Sequence, residues 1–173
     1  MKILIAKYNT KFIFVYDYDG STYSLSETIS IDNSPAVIMK SFAYNGDGSI
    51  FVFGDSTAEV YVNGGWRSNS GKVLIYKYNT ITSTYDLIIS IDGDQSLKRM
   101  LGENVQINQE GNIFAVTAGG IESTQGYNSM GIVYVYYLNG STSSLKATIQ
   151  DPTTPIPVSY THLTLPTNDV GWW

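Results

Sequence analysis

The sequence predicts an all-β protein, a partial β-propeller of about two and a half four-stranded antiparallel blades with a repeat of about 60 residues. Short segments rich in Tyr, Val and Ile alternate with turns of Gly, Asn and Asp. These segments recur at a constant spacing, and the clearest strands are apolar on both faces. No segment has the periodicity of an amphipathic helix, since the nearest candidate, "SLKRMLGEN" (96–104), is too short.

The repeat is clearest in three segments, FVYDYDGSTYSLSETISID (14–32), LIYKYNTITSTYDLIISID (74–92) and VYVYYLNGSTSSLKATIQD (133–151). Tyr16, Tyr76 and Tyr136 in these segments follow one another at intervals of 60 residues. A second match, at a slightly larger offset, joins "NGDGSIFVFG" (45–54) with "NQEGNIFAVT" (108–117). Both sets of matching segments thus recur with nearly the same period over about 150 residues, which indicates an internal repeat.

Each unit is predicted to contain four strands. Those of the first whole unit are expected at 37–44, 49–54, 72–78 and 85–91. Those of the second are expected at 104–109, 112–118, 131–138 and 144–149. The opening residues fit half a unit, with strands at "KILIA" (2–6), 12–19 and 23–31. We therefore predict a propeller region over residues 1–151, divided into a half blade (1–32) and two whole blades (37–92 and 101–151).

The apolar pattern of the central strands determines how the sheets are expected to pack. Val73 and Ile75 point to one side of their strand, and Leu74 and Tyr76 point to the other. In a β-sandwich only one face of a strand meets the core, so apolar and polar residues alternate. A sheet that is buried on both faces needs cover on both, and no helices are predicted. Sheets must therefore stack on sheets, which is the arrangement of a propeller.

A family resemblance agrees with this prediction. The order "LGENVQINQEGNIFAVTAGG…GIVYVYYLNGSTSSLKATI" (101–149) resembles the FG-GAP repeat of propellers like that of the integrin α-subunit. The matching positions are Leu101–Gly102 for the Phe-Gly pair, Gly111 for the turn glycine, Ala115–Gly119 for the "AVGAP" strand and Gly131–Tyr136 for "GxVYVY". The first copy lacks the Phe-Gly pair. The resemblance covers about residues 1–151.

The resemblance implies a non-catalytic module of a surface or secreted protein, which acts in adhesion or ligand recognition through its blade loops. The ligand is expected to be a protein or a carbohydrate, and no cofactor is predicted. Two alternatives stay open, because fold does not determine function. The chain could be a fragment of a propeller-type hydrolase or lyase whose active-site blades are missing, or a structural spacer.

Composition and charge exclude several classes of function. The formal net charge is −5 and no basic cluster exists, which disfavours nucleic-acid binding. The absence of Cys excludes disulfides, thiolate catalysis and thiolate-bound zinc. No apolar run is long enough to insert into a bilayer. Lys7 and Lys11 interrupt the apolar N-terminal run, which does not resemble a signal peptide, so either the protein is cytosolic or its natural N-terminus lies upstream.

The candidate ligand-contacting residues are Tyr61, Trp66 and Arg67, in the longest loop (55–71). Binding residues concentrate on loops that a rigid scaffold positions. The alternative is that Trp66 packs the loop over the edge of a blade. The "NGS" at 139–141 matches a glycosylation sequence, but it is also the turn of the repeat, which explains it fully.

Three acidic clusters are candidate calcium sites, "DYDG" (17–20), "NGDG" (45–48) and "DGDQ" (92–95). Calcium takes about six to eight oxygen ligands, supplied by acidic residues at alternating loop positions with a closing carboxylate. None of the clusters has that pattern. All three are predicted to be turns, and no metal site is predicted.

The C-terminal segment differs from the rest of the chain. The stretch "VSYTHLTLPT" (158–167) contains the only histidine, His162, and has no counterpart in the repeat. It matches one translated frame of an adapter used in transposase-based sequencing libraries. We therefore predict that residues 152–173 are a non-native or disordered tail, that His162 is neither catalyst nor ligand, and that the reading frame is a metagenomic fragment.

Two and a half blades cannot close into a propeller, so both ends of the stack are expected to expose apolar faces. At the last blade, the exposed face would carry either Val133 and Val135 or Tyr134 and Tyr136. Apolar patches and open strand edges promote association. The isolated chain is therefore expected to self-associate or aggregate.

Overall fold

The computed structural model describes residues 2–6, 12–31, 40–62, 64–93, 100–119 and 131–150. These residues form thirteen strands and no helix, which confirms the all-β prediction. The strands are β1 (Lys2–Ala6), β2 (Phe12–Tyr18), β3 (Tyr23–Ser30), β4 (Ser41–Tyr44), β5 (Ile50–Asp55), β6 (Val60–Val62), β7 (Gly65–Arg67), β8 (Lys72–Asn79), β9 (Thr84–Asp92), β10 (Val105–Ile107), β11 (Ile113–Ala118), β12 (Ile132–Asn139) and β13 (Thr142–Gln150).

In the described part of the chain the strands form several separate antiparallel sheets, none of which closes on itself. The first sheet has the order β1-β2-β3, the middle sheet β4-β5-β8-β9, and the third sheet β10-β11-β12-β13. Strands β6 and β7 form a two-stranded hairpin that the sequence analysis did not predict. The other strands lie where they were expected, with ends that differ by a few residues. The predictions for residues 32–39, 94–99 and 151–173 lie outside the described residues.

The middle sheet is buried on both faces, as its apolar pattern predicted. One face packs against Ile13, Val15, Ile29 and Ile31 of the first sheet, and it consists of Phe51, Phe53, Leu74, Tyr76 and Tyr85. The opposite face packs against the third sheet and consists of Ala43, Val52, Val73 and Ile75. Successive residues of β8 point to opposite sides, so one strand supplies both cores. The sheets therefore stack in the order first, middle, third.

A β-bulge interrupts the last hairpin of each sheet at corresponding positions. The register shifts between Val15 and Tyr16 in β2, between Ile75 and Tyr76 in β8, and between Val135 and Tyr136 in β12. The bulges are evenly spaced along the chain, at the period of the sequence repeat. Bulges increase the local twist of a strand pair. The three sheets thus share the same distortion at the same place.

The turns β4–β5 and β10–β11 are also alike. The side-chain Oδ1 of Asn45 accepts a hydrogen bond from the backbone N–H of Ile50 (2.9 Å), and Asn108 accepts one from Ile113 (2.9 Å). Both asparagines are buried. The glycines of the two turns adopt positive φ angles, Gly48 at 72° and Gly111 at 75°. At both places a buried side-chain amide thus adds to the backbone hydrogen bonds of the turn and fixes it.

The third sheet corrects one expectation about exposed faces. Tyr134 and Tyr136 pack toward the middle sheet, so the outer face is the one that carries Val133 and Val135. Val133 is only 3% exposed, and the expectation that it faces water is wrong. Other apolar side chains of this outer face are exposed, namely Ile113, Tyr137 and Ile149.

A candidate ligand-binding hairpin

The longest described loop, between β5 and β8, contains the hairpin β6–β7. Its sequence, "VYVNGGWR" (60–67), places Asn and Gly between two short runs with Val, Tyr and Trp. Asn-Gly and Gly-Gly pairs are typical of tight hairpin turns, and Gly64 adopts a φ of 83°. This signal could have revealed the hairpin. Residues 55–71 were expected to form a loop, so the two short strands within it were not predicted.

Hydrogen bonds fix the base of the hairpin to the middle sheet. The Oδ1 of Asp55, a buried residue, accepts hydrogen bonds from the backbone N–H (3.0 Å) and the hydroxyl (2.8 Å) of Thr57. On the returning side, the buried Ser70 hydroxyl donates to the carbonyl oxygen of Arg67 (3.1 Å). The N–H of Gly71 donates to the carbonyl of Ala58 (3.1 Å), which joins the two sides. The aromatic residues above this base therefore stand on an ordered support.

Tyr61 and Trp66 form an exposed aromatic pair on one face of the hairpin. They are direct partners across the two strands, with ring centroids 5.4 Å apart and ring planes at 67°. Each side chain is 60% exposed. The rings contact each other edge to face, which is a favoured geometry for aromatic pairs. Most of the Trp66 side chain is therefore exposed, and its ring contacts that of Tyr61.

Arg67, the third predicted contact residue, lies on the other face of the hairpin. Its strand partner is Val60, and Val60 is buried against the rest of the molecule. Neighbouring residues of a strand point to opposite sides, so Arg67 points away from the ring of Trp66. The structure brings Tyr61 and Trp66 together and separates Arg67 from them.

The aromatic pair provides two kinds of contact. The ring faces offer flat apolar area, and the Tyr61 hydroxyl and the Trp66 indole N–H can form hydrogen bonds at the edges. Two rings at a steep angle form a corner that can receive a small apolar surface. Such a surface can bind the C–H face of a sugar ring or an apolar side chain.

The first two acidic clusters form turns in the structure, and the described part of the third lies at the end of β9. The Oδ1 of Asp19 accepts backbone hydrogen bonds from Thr22 (2.9 Å) and Ser21 (2.8 Å), which hold the pKa of Asp19 well below its usual value. Hydrogen bonds from the side chain and the N–H of Ser49 likewise lower the pKa of Asp47. Asp92 pairs with Lys72 (Nζ to Oδ1, 3.0 Å).

Two further sequence features concern metal binding and catalysis. Within the described ranges, no three His, Asp or Glu side chains come together in a group that could hold a metal ion. His162 and the predicted tail lie outside those ranges, as do Asp94 and Gln95 of the third acidic cluster. "NGS" at 139–141 forms a turn in which the Thr142 hydroxyl donates to the carbonyl of Asn139 (2.9 Å).

Comparisons of the chain with models of known protein families and with curated proteins find no match. The described residues include no helix long and apolar enough to cross a membrane.

Proposed function

We propose that this chain is part of an FG-GAP-like β-propeller with a repeat of about 60 residues, in a surface or secreted protein. In this proposal it is a non-catalytic module that recognises a ligand through its loops. The exposed pair of Tyr61 and Trp66 carries the functional part of the proposal. The propeller part rests on the repeated features of the sheets.

Three features support the propeller. The bulges of the three sheets recur at equal spacing along the chain, and the turns of Asn45 and Asn108 have the same hydrogen bonds. The middle sheet has a sheet on each side, as a blade inside a propeller must have. In this proposal residues 1–151 supply the blades, and residues 152–173 form a tail that is foreign to the fold.

The position of the aromatic pair supports ligand recognition. Large aromatic side chains are usually buried at least in part, and they are enriched among residues that dominate binding energy. Here two of them stand side by side in a loop, on a base fixed by buried polar residues. Because the two rings already contact each other, fewer side-chain conformations are lost on binding.

A saccharide is the ligand class that we propose. Its ring has an apolar C–H face that fits flat aromatic rings, and its hydroxyls can bond to the polar edges of Tyr61 and Trp66. The one arginine of the described hairpin residues, Arg67, points away from the pair. Contact with a neutral, partly apolar ligand fits this arrangement better than contact with an anion.

The test is binding of the labelled protein to an array of immobilised oligosaccharides, followed by calorimetric titration with the best soluble binder. We expect Trp66→Ala and Tyr61→Ala to weaken binding about tenfold or more, since aromatic anchors are often worth at least about 2 kcal/mol. Arg67→Ala should change affinity little, because this side chain points away from the rings.

Ile81→Ala is the matched control, because Ile81 is 93% exposed in the turn between β8 and β9. Unchanged binding by Trp66→Ala would refute the proposed site. Loss of binding in the Ile81 control would show a general surface effect. If the protein bound a protein ligand instead, and Trp66→Ala weakened that binding, the proposed site would be supported and the proposed ligand class would be wrong.

A further inference from the structure

We propose that copies of this chain associate head to tail, with the outer face of the first sheet of one copy packed on the outer face of the third sheet of the next. This inference goes beyond ligand recognition and is independent of the hairpin. It rests on the two sheet-to-sheet interfaces inside the chain, which follow one pattern, and on apolar side chains that are exposed on the outer faces of the first and third sheets among the described residues.

The later sheet of each internal interface presents a stacked aromatic pair. In the middle sheet this pair is Phe51 and Tyr76, with centroids 4.8 Å apart and planes at 13°, and it packs on the first sheet. In the third sheet it is Phe114 and Tyr136, at 5.0 Å and 8°, and it packs on the middle sheet. In both cases the two rings are cross-strand partners.

The earlier sheet of each interface presents aliphatic residues. The first sheet supplies Ile13 and Val15, and the middle sheet supplies Val73 and Ile75. All four side chains are fully buried. The rule inside this chain is therefore an aliphatic face of one sheet against the aromatic face of the next.

The outer face of the first sheet is an aromatic face on which the described residues place no other sheet. Tyr16 occupies there the position that Tyr76 and Tyr136 occupy in the other two sheets. Around it lie exposed apolar side chains, namely Ile5, Phe12, Tyr23 and Leu25. None of the described residues on this face is charged, and an uncharged apolar patch of this kind marks an association site.

The outer face of the third sheet carries aliphatic residues together with Tyr137, whose ring centroid lies 5.4 Å from the Nζ of Lys146. Val135 lies at the position of Ile75, but it is half-buried where Ile75 is fully buried. Ile113 and Ile149 on the same face are exposed. Val133, Ala115 and Thr117 on this face are already covered, so its free part consists of the half-buried Val135 and the exposed Ile113, Tyr137 and Ile149.

The two free faces are thus the two halves of an interface that the chain already forms twice. A contact between the aromatic end of one copy and the aliphatic end of another is heterologous, since the two surfaces differ. Such a contact leaves one free face at each end of the dimer. Further copies can add in the same direction, to give a ring if the rotation closes and a filament if it does not.

The test uses the full chain and two double variants, each of which blocks one face. Phe12→Lys with Leu25→Lys charges the aromatic end, and Ile113→Lys with Ile149→Lys charges the aliphatic end. The control is Ile81→Lys, an equally apolar and more exposed position in a turn outside both faces. Molar mass is measured by size-exclusion chromatography with light scattering, from micromolar to near-millimolar protein.

We expect the unaltered chain and the Ile81→Lys control to grow in mass with concentration. Each double variant alone should be a monomer, because every head-to-tail contact needs both faces. An equimolar mixture of the two double variants should form a one-to-one complex, since each retains the face that the other lacks. If identical faces paired with each other instead, the variant that retains that face would associate with itself. That arrangement therefore does not predict this result.

Three outcomes would overturn the proposal. The unaltered chain could remain a monomer at every concentration, either double variant could associate as strongly as the unaltered chain, or the mixture could remain monomeric. Association of both variants would indicate pairing through strand edges instead. If a double variant loses its β-sheet circular dichroism, the single substitutions Leu25→Lys and Ile149→Lys replace it, since these side chains are 52% and 53% exposed.

Discussion

The middle and third sheets have nearly the same local structure and different surroundings. Both contain a buried asparagine in the first turn, a stacked Phe–Tyr pair and a bulge in the last hairpin. The middle sheet has a sheet on each face, whereas the described residues place a sheet on only one face of the third. Ile75 is fully buried as a result, and the corresponding Val135 is only half-buried. The same local pattern can therefore be buried to a different extent, depending on what packs against it.

The buried tyrosines of the two sheets also differ in how their hydroxyls are satisfied. The hydroxyl of Tyr85, in the middle sheet, donates to the carbonyl of Gly48 (2.6 Å). Burial, with the Glu27 carboxylate nearby, raises the pKa of Tyr85 to about 12. The hydroxyl of Tyr136, in the third sheet, is buried and finds no hydrogen-bond partner among the described residues. Burial raises the pKa of Tyr136 as well.

The junction between the two sheets depends on Gly102, at the entry to the third sheet. Its φ is 94°, and its N–H donates to the carbonyl of Thr117 (2.9 Å). A Cβ at this position would lie 2.7 Å from the carbonyl oxygen of Lys72 and 2.9 Å from the Cα of Gly54. Both neighbours are backbone of the middle sheet. They cannot move away without disturbing that sheet.

The largest expected effect is therefore at this junction. Gly102→Ala should lower the free energy of unfolding by about 3 kcal/mol or more, because backbone strain at positive φ adds to a collision with backbone atoms. The measurement is urea unfolding followed by circular dichroism. The matched control is Gly140→Ala, at a φ of 62° with nothing within 4 Å of the added Cβ, where about 1 kcal/mol is expected. Equal losses at the two positions would contradict the steric role of Gly102.

Removal of the hydroxyls of Tyr85 and Tyr136 is expected to change the free energy of unfolding by an intermediate amount, and differently in the two sheets. Tyr85→Phe should cost about 1 kcal/mol, since it removes the hydrogen bond to Gly48 and leaves that carbonyl without this donor. Tyr136→Phe should cost nothing or stabilise slightly, because an unsatisfied buried hydroxyl is removed and the stacked ring stays. Urea unfolding of the two variants measures both changes. A clear loss for Tyr136→Phe would show that its hydroxyl has a partner in solution.

The smallest expected effect is a difference in acid sensitivity. Asp47, in the middle-sheet turn, has a lowered pKa because the side chain and N–H of Ser49 bond to its carboxylate. Such a group stabilises the fold above its usual pKa of about 3.9, and this stabilisation is lost as the pH falls through the lower folded value. Asp47→Asn should therefore reduce the loss of stability between neutral and acid pH.

Unfolding by urea at neutral pH and near pH 3 measures this difference, and Ser49→Ala gives the matched comparison. That variant keeps the charge of Asp47 but removes the side-chain bond, so it should have a smaller effect of the same sign. An unchanged pH dependence in Asp47→Asn would mean that other carboxylates dominate acid unfolding.

Much of the fold follows from local sequence. The positions of the strands follow from short β-branched and aromatic runs between Gly and Asn turns, since such turns need positive φ. The alternation of apolar residues on both sides of β8 was enough to predict a sheet buried on two faces, because successive residues of a strand point to opposite sides. These properties depend on residues that are near in sequence, which is why they could be predicted.

The burial and direction of individual side chains depend instead on contacts between segments that are distant in the sequence. No local rule states that Val133 is buried while Ile149, its strand partner, is exposed. The candidate site likewise combines features that could be predicted from the sequence with features that could not. Sequence identified Tyr61, Trp66 and Arg67 as loop residues, but strand pairing placed the first two together and turned the third away. Side-chain direction in a hairpin depends on register, and burial depends on which surface lies opposite, so only the tertiary structure determined them.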